Sequence, residues 1–297
     1  MKRRYWGVNL LFLAPVLITF LLVMVVPFFM GIYYSMTDFN GVRSELTFVG
    51  LNNYQAMFQD PVFLHSFLLT LQYTLINVVL VNLVAFGLAL LVTGNLKGRN
   101  FLRAGFFVPN LIGGIVLGYI WQFIFNNILT QVGKSYELAW LAKSLIGNKD
   151  TVLWAMSGVN TWQYAGYIMM IFVAAIQGIP ANLLEAASVD GANGWRKLRS
   201  ITIPMLANAF TITTFLTLTN SFKQFDLNFA LTNGGPAAMF MKTASKASQL
   251  LALNIYNTAI TLNRWGDGQA RAVIFFVVLV IVSLVQVSIN KHKEVEM

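Results

Sequence analysis

The chain has 297 residues, 57% of them hydrophobic and only 10% charged, with a formal charge of +9 and no cysteine. Soluble domains carry about 25% charged residues, so this composition, with a mean hydropathy of +0.65, excludes an ordinary water-soluble fold and defines an integral membrane protein. The lack of cysteine excludes disulfides and thiolate-held metals.

A bilayer core needs about 20 apolar residues per spanning helix. Lys2-Arg3-Arg4 precede the first such run, residues 8–34. That run is too long for a signal-peptide core and no small-x-small site follows, so a retained helix kinked at Pro15 and Pro27 is expected. Residues 35–66 read as an outside loop with His65 on its solvated surface. The second span, 67–93, carries Gln72, Asn77 and Asn82. In the third, 104–126, Gly113, Gly114 and Gly118 form a small-x-x-x-small face, suited to close helix packing or to lining a path; Gln122 lies beyond it. The loop 127–151 contains Gly133-Lys134-Ser135, which ends like a phosphate loop, but Ile128 stands where its first glycine is required. With no other phosphate loop, the chain is not expected to hydrolyse ATP.

The fourth span, 152–177, opens with Asn160-Thr161-Trp162-Gln163-Tyr164 and has Tyr167 one turn on. A polar connection, 178–204, leads to the fifth span, 205–229, with Thr217, Asn220, Ser221, Lys223, Gln224 and Asp226. Helical spacing puts Thr217, Asn220, Ser221 and Gln224 on one face, and leaves Lys223 and Asp226 three apart, close enough to pair. Polar groups at this depth face a cavity or a partner; they serve as interhelical hydrogen bonds or as a substrate surface. The sixth span is 270–289. The runs are continuous rather than alternating, so strands are not expected and the fold class is all-α with six transmembrane helices.

Orientation follows from Lys and Arg. Lys2, Arg3, Arg4, Lys97, Arg99, Arg103, Arg196, Lys197, Arg199, Lys291 and Lys293 fall on one side. The longer loops of the other side hold Arg43, Lys134, Lys143, Lys149, Lys242, Lys246 and Arg264. Both termini and residues 178–204 are therefore expected in the cytoplasm. The charge is a topology signal; no basic stripe points to nucleic acid. His65 and His292 have no metal-ligand neighbours, and without Cys, an intramembrane His or H-E-x-x-H no catalytic constellation appears.

The connection itself is the most specific stretch. Glu185-Ala186-Ala187, Asp190-Gly191-Ala192, Trp195-Arg196-Lys197 and Ile201-Thr202-Ile203-Pro204 read as a helix from Pro180, a glycine stop, and a short cationic helix. These residues resemble the EAA loop of binding-protein-dependent ABC transporter permeases, with Ile203 where that family usually has Leu. Leu231-Thr232-Asn233-Gly234-Gly235-Pro236 is similar to the Thr-x-Gly-Gly-Pro element of maltose-type permeases. Phe48-Val49-Gly50-Leu51-Asn52-Asn53-Tyr54 and Arg103-Ala104-Gly105-Phe106-Phe107-Val108-Pro109 are weaker echoes.

The resemblance implies a type-I ABC importer transmembrane domain that moves a sugar or oligosaccharide inward. Residues 1–66 would form an N-terminal helix and loop, and 67–297 the permease core with the coupling loop 178–204. Glu185, Ala186, Ala187, Asp190, Gly191 and Arg196 would meet an ATPase. Asn160, Tyr164, Tyr167, Thr217, Asn220, Ser221, Lys223, Gln224 and Asp226 would form the substrate surface, with no metal or cofactor in this chain. ATP and Mg would sit on two partner ATPases, beside a second homologous permease, an extracellular solute-binding protein and lipid, in a prokaryotic plasma (inner) membrane. An ion-gradient-driven secondary transporter, or an ABC permease for a solute such as glycerol phosphate, remain the other readings. A neutral substrate and an acidic one held by Lys223 both stay open.

Overall fold

The structure, a computed structural model, describes residues 6–42 and 46–291. Lys2, Arg3, Arg4, Arg43, His292 and Lys293 of the preceding readings lie outside the described residues. In chain order come α1 (Trp6–Phe20), a π turn (Leu21–Val25), α2 (Val26–Tyr34), α3 (Asn52–Gln59) and α4 (Pro61–Thr93). Then follow α5 (Arg99–Phe107), a 3-10 turn (Val108–Leu111), α6 (Gly114–Phe123), a π turn (Ile124–Ile128), α7 (Leu129–Ser135) and α8 (Val152–Gln177). The connection gives α9 (Ala181–Val189), α10 (Gly194–Lys197), a π turn (Leu198–Thr202) and α11 (Ile203–Met205). Last come α12 (Ala207–Phe222), α13 (Asp226–Thr232), β1 (Ala237–Phe240), β2 (Thr243–Lys246), α14 (Leu251–Tyr256), a π turn (Asn257–Thr261) and α15 (Trp265–Lys291). Five helices are long and apolar enough to cross a membrane, and a sixth span results if the bent pair Gly194–Met205 and Ala207–Phe222 is one crossing.

The chain divides into two compact units, Met1–Asp60 with Ile255–Val277, and Pro61–Asn254 with Val278–Met297. In the first, Pro27 cannot donate to the turn before it, and the π turn Leu21–Val25 precedes it in an otherwise continuous run. Where α2 ends, the Asn53 side chain clasps the departing backbone, donating to the carbonyls of Ser35 (2.9 Å) and Thr37 (2.8 Å). Buried Arg271 pairs with Asp60 at 2.6 Å, which offsets the cost of placing a cation on an apolar helix.

In the second unit α4 packs along α8 and α12. The helix begins at Pro61 rather than at 67, and its 33 residues span roughly 50 Å, more than the ~30 Å bilayer core. In lipid, helices associate by close fit more than by the hydrophobic effect; accordingly Ala85 and Ala89 are fully buried against a cluster with Met169, Phe172 and Leu206. A second cluster gathers Tyr73, Met156, Leu231 and Leu250.

Four further expectations change. The third span is not continuous over 104–126, because extended backbone at Ile112 and Gly113 (ψ 125° and 138°), after the Pro109 turn, separates α5 from α6. The fifth ends at Phe222, and α13 starts anew at Asp226. A two-stranded antiparallel hairpin, β1–β2, stands in an otherwise helical chain, with Met241 and Lys242 at positive φ in its turn. His65 is half-buried against that hairpin: Nδ1 lies 2.7 Å from Ser245 Oγ and the ring stacks on Phe240.

Candidate functional site

The break after α12 opens a cavity of about 370 Å³. Tyr164 enters it from α8, and Thr219, Asn220, Lys223, Gln224 and Asp226 from the break and its flanks, with Leu216 and Phe225 as apolar wall. Its size falls within the roughly 300–1,000 Å³ of small-molecule sites. Donors, acceptors, charges of both signs and aromatic faces converge there.

The predicted substrate residues divide. Tyr164, Asn220, Lys223, Gln224 and Asp226 come together around the cavity. Tyr167 stands with its ring 5.4 Å from that of Tyr164, packed among the core around Phe172. Thr217 and Ser221 are fully buried: Thr217 donates to Thr213 O at 2.8 Å and accepts from Asn82 at 3.3 Å. One residue of offset turns a side chain about 100° round a helix, so Asn220 reaches the cavity while Ser221 is turned into the packed interior. Asn160 is 1% exposed and bonded on both sides, to Asn77 (2.8 Å) and to Gln224 (3.1 Å).

Lys223 and Asp226 do not share a helix. Lys223 ends α12 at φ −88°, ψ 9°, and Asp226 begins α13, so the i, i+3 geometry that would pair them is absent. Among the described residues ion pairs form at Arg264–Asp267 and Arg271–Asp60, and Lys223 and Asp226 make none with each other. Both are exposed to the cavity.

The wall carrying Asp226 is fixed from two sides. Gly114 and Gly118 of α6 meet α13 so closely that an added Cβ would lie 2.7 Å from Asp226 Cβ and 2.5 Å from Ala230 Cβ. Gln122, one turn on, donates to Leu231 O at 3.1 Å. Packing is thus the role of Gly114 and Gly118, whereas Gly113 precedes α6 with nothing within 4 Å. At the far end, buried Asn228 donates to Ser248 O (2.7 Å) and accepts from Leu250 N (3.1 Å). Thr232 Oγ1 shares a 2.8 Å hydrogen bond with Ser248 Oγ, which donates to Gly235 O. The Leu231–Pro236 run therefore closes α13 onto the strand-exit segment. Sequence reasoning singled out neither Asn228 nor Ser248, although an Asn four residues before Thr232 was a visible signal. It also missed Thr219, Leu216 and Phe225. Gln163 answers the broken third span by donating to Ile112 O at 2.9 Å.

The coupling candidates lie on the α9–α10 elbow. Gly191 stops α9 at φ +74°; Ala192 N reaches Ala187 O (2.9 Å) and Gly191 N reaches Ser188 O (3.1 Å), the paired bonds of a Schellman stop. Asn193 Oδ1 then accepts from Arg196 N at 2.9 Å and caps α10, and Lys197 Nζ donates to Ser188 Oγ at 2.5 Å across the elbow. Glu185, Ala186, Asp190, Gly191 and Arg196 are exposed and Ala187 half-buried. Val189 and Trp195 are 88% and 68% exposed, an apolar pair on a polar elbow. From there the chain bends by 68° into α12. Gly133-Lys134-Ser135 is the helical end of α7, with Gly133 tight against the Leu141 and Ala142 backbone, so no phosphate loop exists there.

Broken membrane helices, a polar cavity at a break and a clasped elbow between spans define a transport permease. Residues 82–293 match the family model described as binding-protein-dependent transport system inner membrane component. A probable starch degradation products transport system permease protein (AmyD) of Thermoanaerobacterium thermosulfurigenes is 40% identical over 99% of this chain and 96% of its own length. The multiple sugar-binding transport system permease protein MsmF of Streptococcus mutans is 31% identical over 99% and 98%. A solved bacterial ABC transporter involved in the import of the acidic polysaccharide alginate has a chain that superposes with a TM-score of 0.81, at 18% identity, covering 98% of this chain and 96% of that one. The chain belongs to the binding-protein-dependent transport system inner membrane component family and has the type-I ABC importer transmembrane fold. It is membrane-embedded, a permease of an ATP-driven importer rather than a secondary transporter.

Proposed function

We propose that the importer moves a neutral sugar or oligosaccharide and that the cavity at the α12–α13 break is where this subunit recognises it. The observation that carries the reading is the cavity wall: amides of Asn220 and Gln224, the Thr219 hydroxyl, and the Tyr164 and Phe225 rings. Amides and hydroxyls give directional hydrogen bonds to sugar hydroxyls, and aromatic faces stack on the apolar face of a pyranose. Lys223 and Asp226 oppose each other in sign, so the wall has no net charge to favour an acid. Relatives named for starch degradation products and multiple sugars support the same class. Asn220→Ala is expected to raise the half-saturation concentration for uptake about three- to tenfold, the worth of one hydrogen bond near 1 kcal/mol, with assembly intact. Unchanged saturation across a panel of neutral oligosaccharides and a uronate would remove Asn220 from the site.

In this reading a second permease completes the path and an extracellular solute-binding protein delivers substrate. Two ATPases holding ATP and Mg grip Glu185, Ala186, Ala187, Asp190, Gly191 and Arg196. Both termini and the elbow face the cytoplasm of a prokaryotic cell in this reading, which the Lys/Arg bias supports. The native chain has no cysteine, so Asn148→Cys and Gly194→Cys report orientation. An impermeant thiol reagent on intact cells should label the first and spare the second; the opposite pattern inverts the topology.

A further inference from the structure

A polar seam between α4 and α8 ends at the cavity, and its direction is fixed at the far end. Asn77 is fully buried, and its Nδ2 donates to the backbone carbonyl of Tyr73 (2.8 Å) and to Ser157 Oγ (3.1 Å). A backbone carbonyl can only accept, so the nitrogen end of Asn77 must face it and Oδ1 must face Asn160. Asn160 Nδ2 donates to that Oδ1 at 2.8 Å, which turns the Asn160 Oδ1 toward Gln224. Gln224 Nε2 donates there at 3.1 Å. Three amides are thus set head to tail by one carbonyl. Flipping any one would place like ends together inside a buried seam, where unmatched groups are costly.

Gln224 lines the cavity, its nitrogen is engaged by the seam, and the buried Tyr73 hydroxyl lies beside both Gln224 and Asn77. A free glutamine can turn either end of its amide to a ligand. This one presents its oxygen.

We infer that Asn77 is a positioning residue that holds Gln224 as a hydrogen-bond acceptor in the cavity, so the site demands a donor, a substrate hydroxyl, at that point. Asn77 itself touches no substrate. The inference rests on the sugar reading for the identity of the donor, and on geometry alone for the polarity of Gln224. Polarity and substrate therefore have separate readouts.

The first readout is hydrogen exchange of the Gln224 side-chain amide, followed by isotope-edited NMR of the complete importer in bilayers. Wild type should show protection, Asn77→Ala should lose it, and Ser157→Ala should keep it, because the Tyr73 carbonyl still sets the direction. An unprotected amide in wild type, or equal protection in Asn77→Ala, overturns the relay. If Asn77→Ala does not fold, Asn160→Ala breaks the same relay one step nearer the cavity.

The second readout is transport of maltotriose and its single deoxyfluoro analogues, in which a hydroxyl that can donate becomes a fluorine that cannot. Wild type should discriminate against one analogue by about tenfold, the scale of one hydrogen bond. In Asn77→Ala that discrimination should collapse below about twofold while maximal turnover stays. Retained discrimination overturns the role. If wild type carries no maltotriose, a malto-oligosaccharide substrate is excluded, and the exchange result still decides whether the relay exists.

Discussion

Glu185→Lys is expected to leave the permease folded and inserted but to abolish coupled transport. Glu185 is exposed on α9, and surface substitutions away from packing or capping features usually change stability by no more than about 0.5 kcal/mol. Under the proposed coupling role, what reverses is the charge that the elbow would offer an ATPase subunit, so the loss should appear in assembly or in substrate-stimulated ATP hydrolysis. Gly191→Leu tests the same elbow by another cause. Gly191 sits at φ +74° with nothing within 4 Å of where a Cβ would stand. The side chain therefore meets open space, and the cost is the backbone one, about 1–2 kcal/mol for a left-handed residue. That can be relieved by re-angling α9 against α10, which alters the docking knob without unfolding the membrane core. Uptake and ATPase rates in reconstituted importer are the measurement. Normal stimulated hydrolysis by Glu185→Lys would separate the elbow from coupling.

Gly166→Ala should instead destabilise the fold. Gly166 lies in the middle of α8, and a Cβ there would run into the carbonyl oxygen of Phe106, at the end of α5. Backbone cannot swing aside as a side chain can, so α5 and the 3-10 turn beyond it must be pushed off α8. Overpacking of this kind costs about 1–3 kcal/mol and more where backbone is the obstacle. Gly158→Ala is the matched control: same helix, nothing within 4 Å, and a change expected to stabilise by about 0.5–1 kcal/mol. Thermal unfolding of the solubilised proteins should therefore move in opposite directions for the two variants. A Gly166→Ala protein as stable as wild type would mean that α5 sits free of α8.

The contrast between Gly166 and Gly158 shows where sequence reading stops. Spans, polar connection and glycine stop are local properties, written in apolar run length and in the φ that Gly191 alone tolerates cheaply, so they were legible. The identity of the glycine that touches backbone is tertiary, and nothing in Ala165-Gly166-Tyr167 announces it. The same limit applies to the fifth span. Ser221-Phe222-Lys223-Gln224 contains no proline or glycine to mark the end of α12; the helix stops because the segment is held by Asn160, Gly114 and Gly118 from other helices. With that break unmarked in the sequence, Lys223 and Asp226 read as neighbours on one helix. The hairpin was hidden for a related reason. Its turn places Met241 and Lys242 at φ 49° and 64°, where Asn-Gly is the usual signal, and His65 is drawn from the solvent by that unannounced hairpin.

The first membrane segment and α8 differ in one further respect. In the most apolar window of Leu11–Tyr34 no residue is buried within the chain, whereas half of the corresponding window of α8 is. A bilayer reads the former as a sum of transfer energies, to which leucine, isoleucine, valine and phenylalanine contribute nearly alike. The neighbouring helices read α8 letter by letter, by volume at Phe172, by donor direction at Asn160, by the missing side chain at Gly166. Over evolutionary time the first text can be rewritten with synonyms almost without limit, while the second can change only in concert with the helices that read it.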